Sequence, residues 1–256
     1  MALHFTVRHP VGGSRSHAPR LVFVHGFTQT GRSWEPTIDA LPEYESVLLD
    51  APGHGGSSAV ETDLVDGASL MADAGGRGVY VGYSMGGRFA LHVALTRPEL
   101  VSALVLVSAT GGIDSADQRA ARRESDNRLA AELEHDGLDI FLERWLSSPL
   151  FAHLGPEAAG LDQRRANTVS GLASSLRLAG TGTQEPLWDR LSVIEVPVLV
   201  IAGEYDEKFT TAGARLTRSI GGNAKFVVVP GAGHTVHLEQ PGVFVRVLRE
   251  WLSTLA

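Results

Sequence analysis

The 256-residue chain carries 22 basic and 29 acidic side chains, a formal net charge of −7, and is 43% hydrophobic. That much apolar material fills one substantial core, and the acidic balance argues against a nucleic-acid-binding surface. With no cysteine, disulfides and thiolate metal sites are excluded, which fits an intracellular enzyme. The opening residues, "MALHFTVRHPVGG", lack the charged-then-apolar order of a secretory signal. Apolar runs such as "LVLV" and "VPVLVIAG" fall far short of the roughly 18 residues that span a bilayer. A soluble cytoplasmic protein is expected, monomer or homodimer, with no membrane or nucleic-acid partner.

In chain order, residues 4–8 can supply an edge strand, "LVFVH" (21–25) reads as a strand, and a helix is expected over 32–41. "SVLLD" (46–50) is the next strand, followed by a helix over 61–75, the strand "VYVGY" (79–83), a helix over 84–96 and the strand "ALVLVSA" (103–109). After a long gap come "VPVLVIAG" (196–203), a helix over 208–220, "KFVVVPG" (225–231) and a helix over 240–254. The strands are short, β-branched and continuously apolar, as expected of strands covered on both faces of a parallel sheet. Their alternation with helices predicts an α/β fold. Residues 112–190 hold no convincing strand and are rich in Arg, Ala, Leu and Glu. They divide the chain into a core (1–111 and 191–256) and a helical insertion (112–190). Such an insertion reads either as a lid over the carboxyl ends of the strands, where open sheets bind ligands, or as a packed subdomain without a role in chemistry.

"GYSMG" (82–86) fits G-x-S-x-G and sits at a predicted strand-to-helix turn, the context that gives this short motif meaning. Ser84 would be held there as a nucleophile in a strained turn, with Gly82, Gly86 and Gly87 allowing strand and helix to approach. The ordinary alternative is a serine N-cap, but a cap needs no glycines on both sides. A serine hydroxyl needs a histidine, and the histidine an orienting carboxylate. His234 follows a strand in the glycine-rich loop "PGAGH"; its rival His237 is expected to start the last helix. Asp206 stands three residues beyond the glycine ending "VLVIAG", with Glu204 and Asp189 as weaker candidate acids. The order Ser84, Asp206, His234 is that of G-x-S-x-G triads. His234 and His237 share a metal-like spacing, but no carboxylate completes a ligand set, so no metal is expected. The second strand runs into "FVHGFTQTG" (23–31), so the backbone N–H groups of Phe27 and Met85 are assigned to an oxyanion hole, with His25 packing beneath the loop. There is no phosphate-binding loop, and Gly180 and Gly182 do not continue into a dinucleotide fingerprint, so no cofactor is expected.

"HGFTQTGRSW", "DAPGHGGS", "GYSMGGRFAL" and "PGAGHTVHLEQP", in this order and spacing, resemble the α/β-hydrolase superfamily over nearly the whole chain. Within it, "QRAARRESD", "FLERWLSSPLFA", "RRANTVSGLASSLRLAGTGTQEPLW" and "GEYDEKF" are similar to the 2-succinyl-6-hydroxy-2,4-cyclohexadiene-1-carboxylate synthase family, lyases of menaquinone biosynthesis. The resemblance implies a triad that removes a substrate proton and expels pyruvate, leaving a cyclohexadiene. It also implies contacts to an anionic substrate from Tyr83, Arg88, Arg122, Trp145 and Arg165, although Arg164 lies next to the last of these. Read by position alone, Arg88 falls one helical turn past Ser84 in a helix that otherwise looks buried; either a carboxylate neutralises it or it meets a ligand. Arg119, Arg123 and Arg128 read as solvated helix surface. The competing readings are a carboxylic-ester or C–C bond hydrolase with the same triad, and a non-catalytic binding member of the fold. A histidine oriented by an acid serves no purpose in the latter.

Overall fold

A computed structural model describes residues 2–11 and 18–255. Seven strands form one sheet in the order β1-β3-β2-β4-β5-β6-β7. They are β1 (Phe5–Arg8), β2 (Leu21–Val24), β3 (Ser46–Leu49), β4 (Gly78–Tyr83), β5 (Val101–Val107), β6 (Val198–Gly203) and β7 (Ala224–Val229). β1 pairs antiparallel with β3 at one edge; every other pairing is parallel. The continuous apolar character of the strands has the expected cause. On β2, Val22 and Val24 enter a core with Met71, Phe89 and Leu216, while Leu21 and Phe23 enter a second core with Trp34, Phe244 and Trp251 on the opposite face.

The helices covering these faces follow the sequence with local corrections. α1 is only Glu35–Asp39, preceded by a tight 3₁₀ turn over Gly31–Trp34. α2 (Leu64–Gly75) starts late because the Asp63 carboxylate accepts from the N–H groups of Val65 and Asp66. α3 (Met85–Thr96) and α8 (Glu207–Ile220) lie where expected. A separate short helix, α9 (Val236–Glu239), which holds His237, precedes the last helix, α10 (Pro241–Leu252), which lies where expected. Pro241 has no N–H to continue the hydrogen bonds of α9 and opens α10.

Residues 112–190 fold mainly as four helices: α4 (Ala116–Asp136), α5 (Leu138–Leu146), α6 (Leu161–Arg164) and α7 (Val169–Ala179). Ser115 caps α4 and Thr168 caps α7 through their hydroxyls. Ala130, Leu133, Phe141, Leu142, Leu172, Ala173 and Leu176 make a separate small core, against which Phe27 and Trp145 pack. Among the described residues no helix is long and apolar enough to cross a membrane.

Candidate active site

Ser84 leaves β4 with φ 51°, a conformation that costs a non-glycine residue roughly 1–3 kcal/mol and persists only when the surroundings enforce it. The neighbouring glycines explain how. A Cβ on Gly82 would run into the Gly86 carbonyl, one on Gly86 into the carbonyls of Val24 and His25, and one on Gly87 into the Ala109 side chain at 2.5 Å. α3 therefore starts in direct backbone contact with β2 and β4. The Ser84 hydroxyl makes no cap hydrogen bond to α3; its Oγ lies 3.1 Å from His234 Nε2.

The opposite ring nitrogen, His234 Nδ1, is 2.6 Å from Asp206 Oδ2. The other Asp206 oxygen accepts from the Phe209 N–H at the start of α8. Both side chains are buried. Their loops approach closely, since a Cβ on Gly203 would strike the Gly233 carbonyl. The structure thus brings Ser84, His234 and Asp206 into one hydrogen-bonded chain. The rivals lie elsewhere. His237 belongs to α9 and stacks on Trp34 at 4.2 Å, and burial lowers its pKa to about 3. Glu204 accepts from the Gly231 N–H, and Asp189 is exposed in a 3₁₀ turn.

The loop after β2 is braced by neutral imidazoles. His25 Nδ1 donates to the Gly26 carbonyl at 2.8 Å, and its Nε2 accepts from the Ala51 N–H at 3.0 Å. His54 Nε2 accepts from the Thr28 N–H; burial pulls its pKa down to about 3, so it stays an acceptor. Gly31 N–H donates to Asp50. Phe27 and Met85 both line the cleft beside Ser84. The Met85 N–H opens α3, where a helix leaves its first donors without intrahelical partners.

The cleft holds about 590 Å³ and is roofed by α4, α5, α7 and the turn around Phe151. Five cations line it: Arg88, Arg122, Arg164, Lys208 and Arg215, the last of them paired with Asp114. Arg88 is 6% exposed and donates to the carbonyls of Ala179 and Gly180, at 2.9 and 3.3 Å, where α7 ends. Burial lowers its pKa to about 10, which leaves it charged at neutral pH. Arg122 is paired through Nε with buried Asp126 at 2.8 Å. Trp145 lines the cleft with its indole N–H buried and unpartnered. Tyr83 lines it too, its hydroxyl 3.2 Å from Thr235 Oγ1; burial raises its pKa.

Arg165 is not in the cleft. Its side chain is 45% exposed and pairs with Asp139 and Asp162 on the surface. Arg164 takes the inward position, 2% exposed, donating to the Ala159 carbonyl and to Thr28 Oγ1. Successive residues around a helical turn point about 100° apart, so only one of the pair can face inward. Among the described residues neither Arg88 nor Arg164 forms an ion pair with a carboxylate. Two residues escaped the sequence reading. Lys208, two positions past Asp206, was signalled by that adjacency. Asn167 accepts from the Gly55 N–H and donates to the Thr28 carbonyl, tying the helical segment to the loop after β2, and nothing local marks it. No group of three or more His, Asp or Glu among the described residues is arranged to hold a metal.

A serine elbow, an acid–histidine pair on the following loops and a sheet of this order define a class, and a model described as "Alpha/beta hydrolase family" matches residues 21–247. The chain belongs to this family. A Bacillus subtilis (strain 168) protein, to which the name 2-succinyl-6-hydroxy-2,4-cyclohexadiene-1-carboxylate synthase is given provisionally, is 36% identical over 97% of this chain and 96% of its own. The synthase of that name from Serratia proteamaculans (strain 568) is 32% identical over 91% of this chain and 93% of its own. The structure of MenH from S. aureus covers 98% of both chains at 31% identity, with a TM-score of 0.90. A thermophilic esterase from Thermogutta terrifontis, at 23% identity and TM-score 0.82, shares the fold.

Proposed function

We propose that this protein is the menaquinone-pathway lyase that eliminates pyruvate from 2-succinyl-5-enolpyruvyl-6-hydroxy-3-cyclohexene-1-carboxylate, acting in the cytoplasm. The observation that carries the reading is a serine–histidine–aspartate chain opening into a cleft where buried Arg88 and Arg164 have no carboxylate partner. A buried guanidinium bonded only to carbonyl and hydroxyl oxygens is poorly compensated, and an anionic substrate supplies the missing charge. The guanidinium fork takes both oxygens of a carboxylate, and this substrate carries succinyl, ring and enolpyruvyl carboxylates. The chain as a whole is acidic, so the positive charge is a local property of the cleft.

The chemistry follows from the substrate's skeleton. The hydrogen on ring carbon 2 is acidified by the succinyl ketone. Ser84 Oγ takes it while passing its own proton to His234 Nε2, and Asp206 stabilises the imidazolium. The N–H groups of Phe27 and Met85 hold the enolate oxygen as they would a tetrahedral oxyanion. The electron pair then forms the 2,3 double bond, the ring double bond moves to 4,5, and the carbon 5–oxygen bond breaks. Enolpyruvate leaves, regains the proton through His234 and becomes pyruvate. Arg88, Arg122, Arg164, Lys208 and the Trp145 N–H orient the carboxylates, and residues 112–190 act as a lid that excludes water. The test is turnover of this substrate, read as pyruvate release, beside a panel of p-nitrophenyl esters. Saturable release of pyruvate with slow ester cleavage is the expected result; inertness toward the substrate with rapid ester cleavage assigns the cleft to a hydrolase.

A further inference from the structure

The loop that carries His234 is fastened by a carboxylate outside the triad. Glu239, the last residue of α9, accepts from the N–H of Gly233 through Oε2 at 2.5 Å and from the N–H of Thr235 through Oε1 at 2.7 Å. One carboxylate therefore holds the backbone N–H groups of both residues that flank His234. Hydrogen bonds to an ionised acceptor are roughly twice as strong as neutral ones. Two of them, from both sequence neighbours of His234 to one side chain, fix the orientation of the residue between.

Other hydrogen bonds of the loop lie upstream of these: the Gly231 N–H donates to Glu204, the Gly231 carbonyl accepts from Gln240, and the Ala232 carbonyl accepts from the Tyr205 N–H. The loop is glycine-rich, with Gly231 at φ 68°, and glycines lose the most conformational freedom when ordered. Beyond His234, the Tyr83 hydroxyl lies 3.2 Å from Thr235 Oγ1, on the same residue that Glu239 holds. His234 must reach Asp206 and Ser84 at once, and a displacement of about 1 Å in a reacting group can cost about a hundredfold in rate. Glu239 touches neither Ser84 nor Asp206, and it does not line the cleft around Ser84.

We infer that Glu239 is a positioning residue of the triad, clamping the His234 loop so that the imidazole bridges Asp206 and Ser84; this rests on the triad reading above. The obvious contrary view makes Glu239 a stabiliser of the C-terminal region only. The two differ in what they predict for Ser84 itself. A fluorophosphonate, which reacts with an activated serine whatever the natural substrate, reads that activation directly.

Labelling of Ser84 is measured for wild type, Glu239→Gln and Glu239→Ala, with circular dichroism and Tm recorded for each. Glu239→Ala removes both acceptors and should slow labelling about ten- to a hundredfold. Glu239→Gln keeps one acceptor oxygen and should fall between it and wild type, giving a folded variant should the alanine fail to fold. With the lyase substrate, kcat should drop while KM changes less than about twofold. In a His234→Ala background, Glu239→Gln should cause no further slowing, because a clamp on an absent imidazole has nothing to position. Wild-type labelling rates in folded Glu239 variants, or equal slowing with and without His234, overturn the inference. Failure of wild type to label at Ser84 overturns the triad reading instead.

Discussion

On the floor of the cleft, Ser84, Asp206 and His234 each stand a few residues past the carboxyl end of a parallel strand, locked by backbone-to-backbone approaches that exclude any Cβ. On its roof, Arg122, Trp145 and Arg164 stand on three different helices that share a small core of their own. Ties between roof and floor include Asn167 to Thr28 and Gly55, Arg164 to Thr28, Arg88 to the carbonyls that end α7, Phe27 against Trp145 at 5.3 Å, Ser175 Oγ against the Met85 sulfur at 3.7 Å, and the backbone approach of Gly171 to Gly53. The floor's geometry is set by strand-to-helix backbone packing, while the roof meets it largely through side chains. On the proposed function, the floor carries the proton transfer and the roof the recognition of the substrate.

The largest effect should come from the floor. Ser84→Ala should cut kcat on the order of 10⁴-fold or more with an unchanged circular dichroism spectrum. Near-normal turnover by the folded variant would dissolve the distinction between floor and roof.

Acid should weaken the floor before the roof. His54 and His237 have pKa values lowered to about 3 and His92 to about 4 by burial, from an ordinary 6.5, while roof residue His135 is 88% exposed. Unfolding frees the buried imidazoles to take up protons, so the unfolded state binds more of them below about pH 6.5. Their contribution is fully present above that pH and is lost progressively as pH falls toward the folded values. Urea midpoints should drop between pH 7 and pH 5; a flat profile would show that these rings are not held neutral.

The two unpaired cleft arginines, Arg164 on the roof and Arg88 on α3 in the floor, should act on the substrate rather than on the chemistry of the serine. Arg164→Ala and Arg88→Ala should each lose about 1.5–3 kcal/mol of transition-state stabilisation in kcat/KM, the range for charged hydrogen bonds, and added salt should raise KM. Arg165→Ala, which breaks only exposed pairs worth roughly 0–1 kcal/mol, should behave like wild type. The reverse pattern for the two neighbours would turn α6 over.

The smallest effects concern single methyl groups. Gly86→Ala should destabilise by roughly 1–3 kcal/mol as overpacking, measured by urea unfolding. Gly155→Ala, in the roof segment with open space around it, should stay within about 0.5 kcal/mol. Equal costs at the two sites would mean that floor and roof are packed alike.

Much of the floor was readable because its determinants are local. A β-branched apolar run, a glycine-rich turn and an acid or histidine just beyond a strand each occupy a few consecutive residues. The order of those segments then places Ser84, Asp206 and His234 at one sheet edge. The edge strand β1 and the helices α3 and α8 were readable on the same grounds, while the antiparallel pairing of β1 with β3 was not. The short helix α9 ahead of the last helix was missed, although Pro241 marks the boundary between them.

What tertiary structure alone decided lies in the roof and in the partners. "RRAN" contains two arginines of equal local promise, and only the docking of α6 against Thr28 buries Arg164 and turns Arg165 outward. The α3 pattern suggested that Arg88 is buried but could not say that its partners are the terminal carbonyls of α7, some ninety residues away. Nor could it say that the one nearby acid, Asp126, is bonded to Arg122 instead. The physical reason is the same in each case. Strand and turn propensity are properties of neighbouring residues, whereas the compensation of a buried charge depends on which distant groups the fold brings within hydrogen-bonding reach.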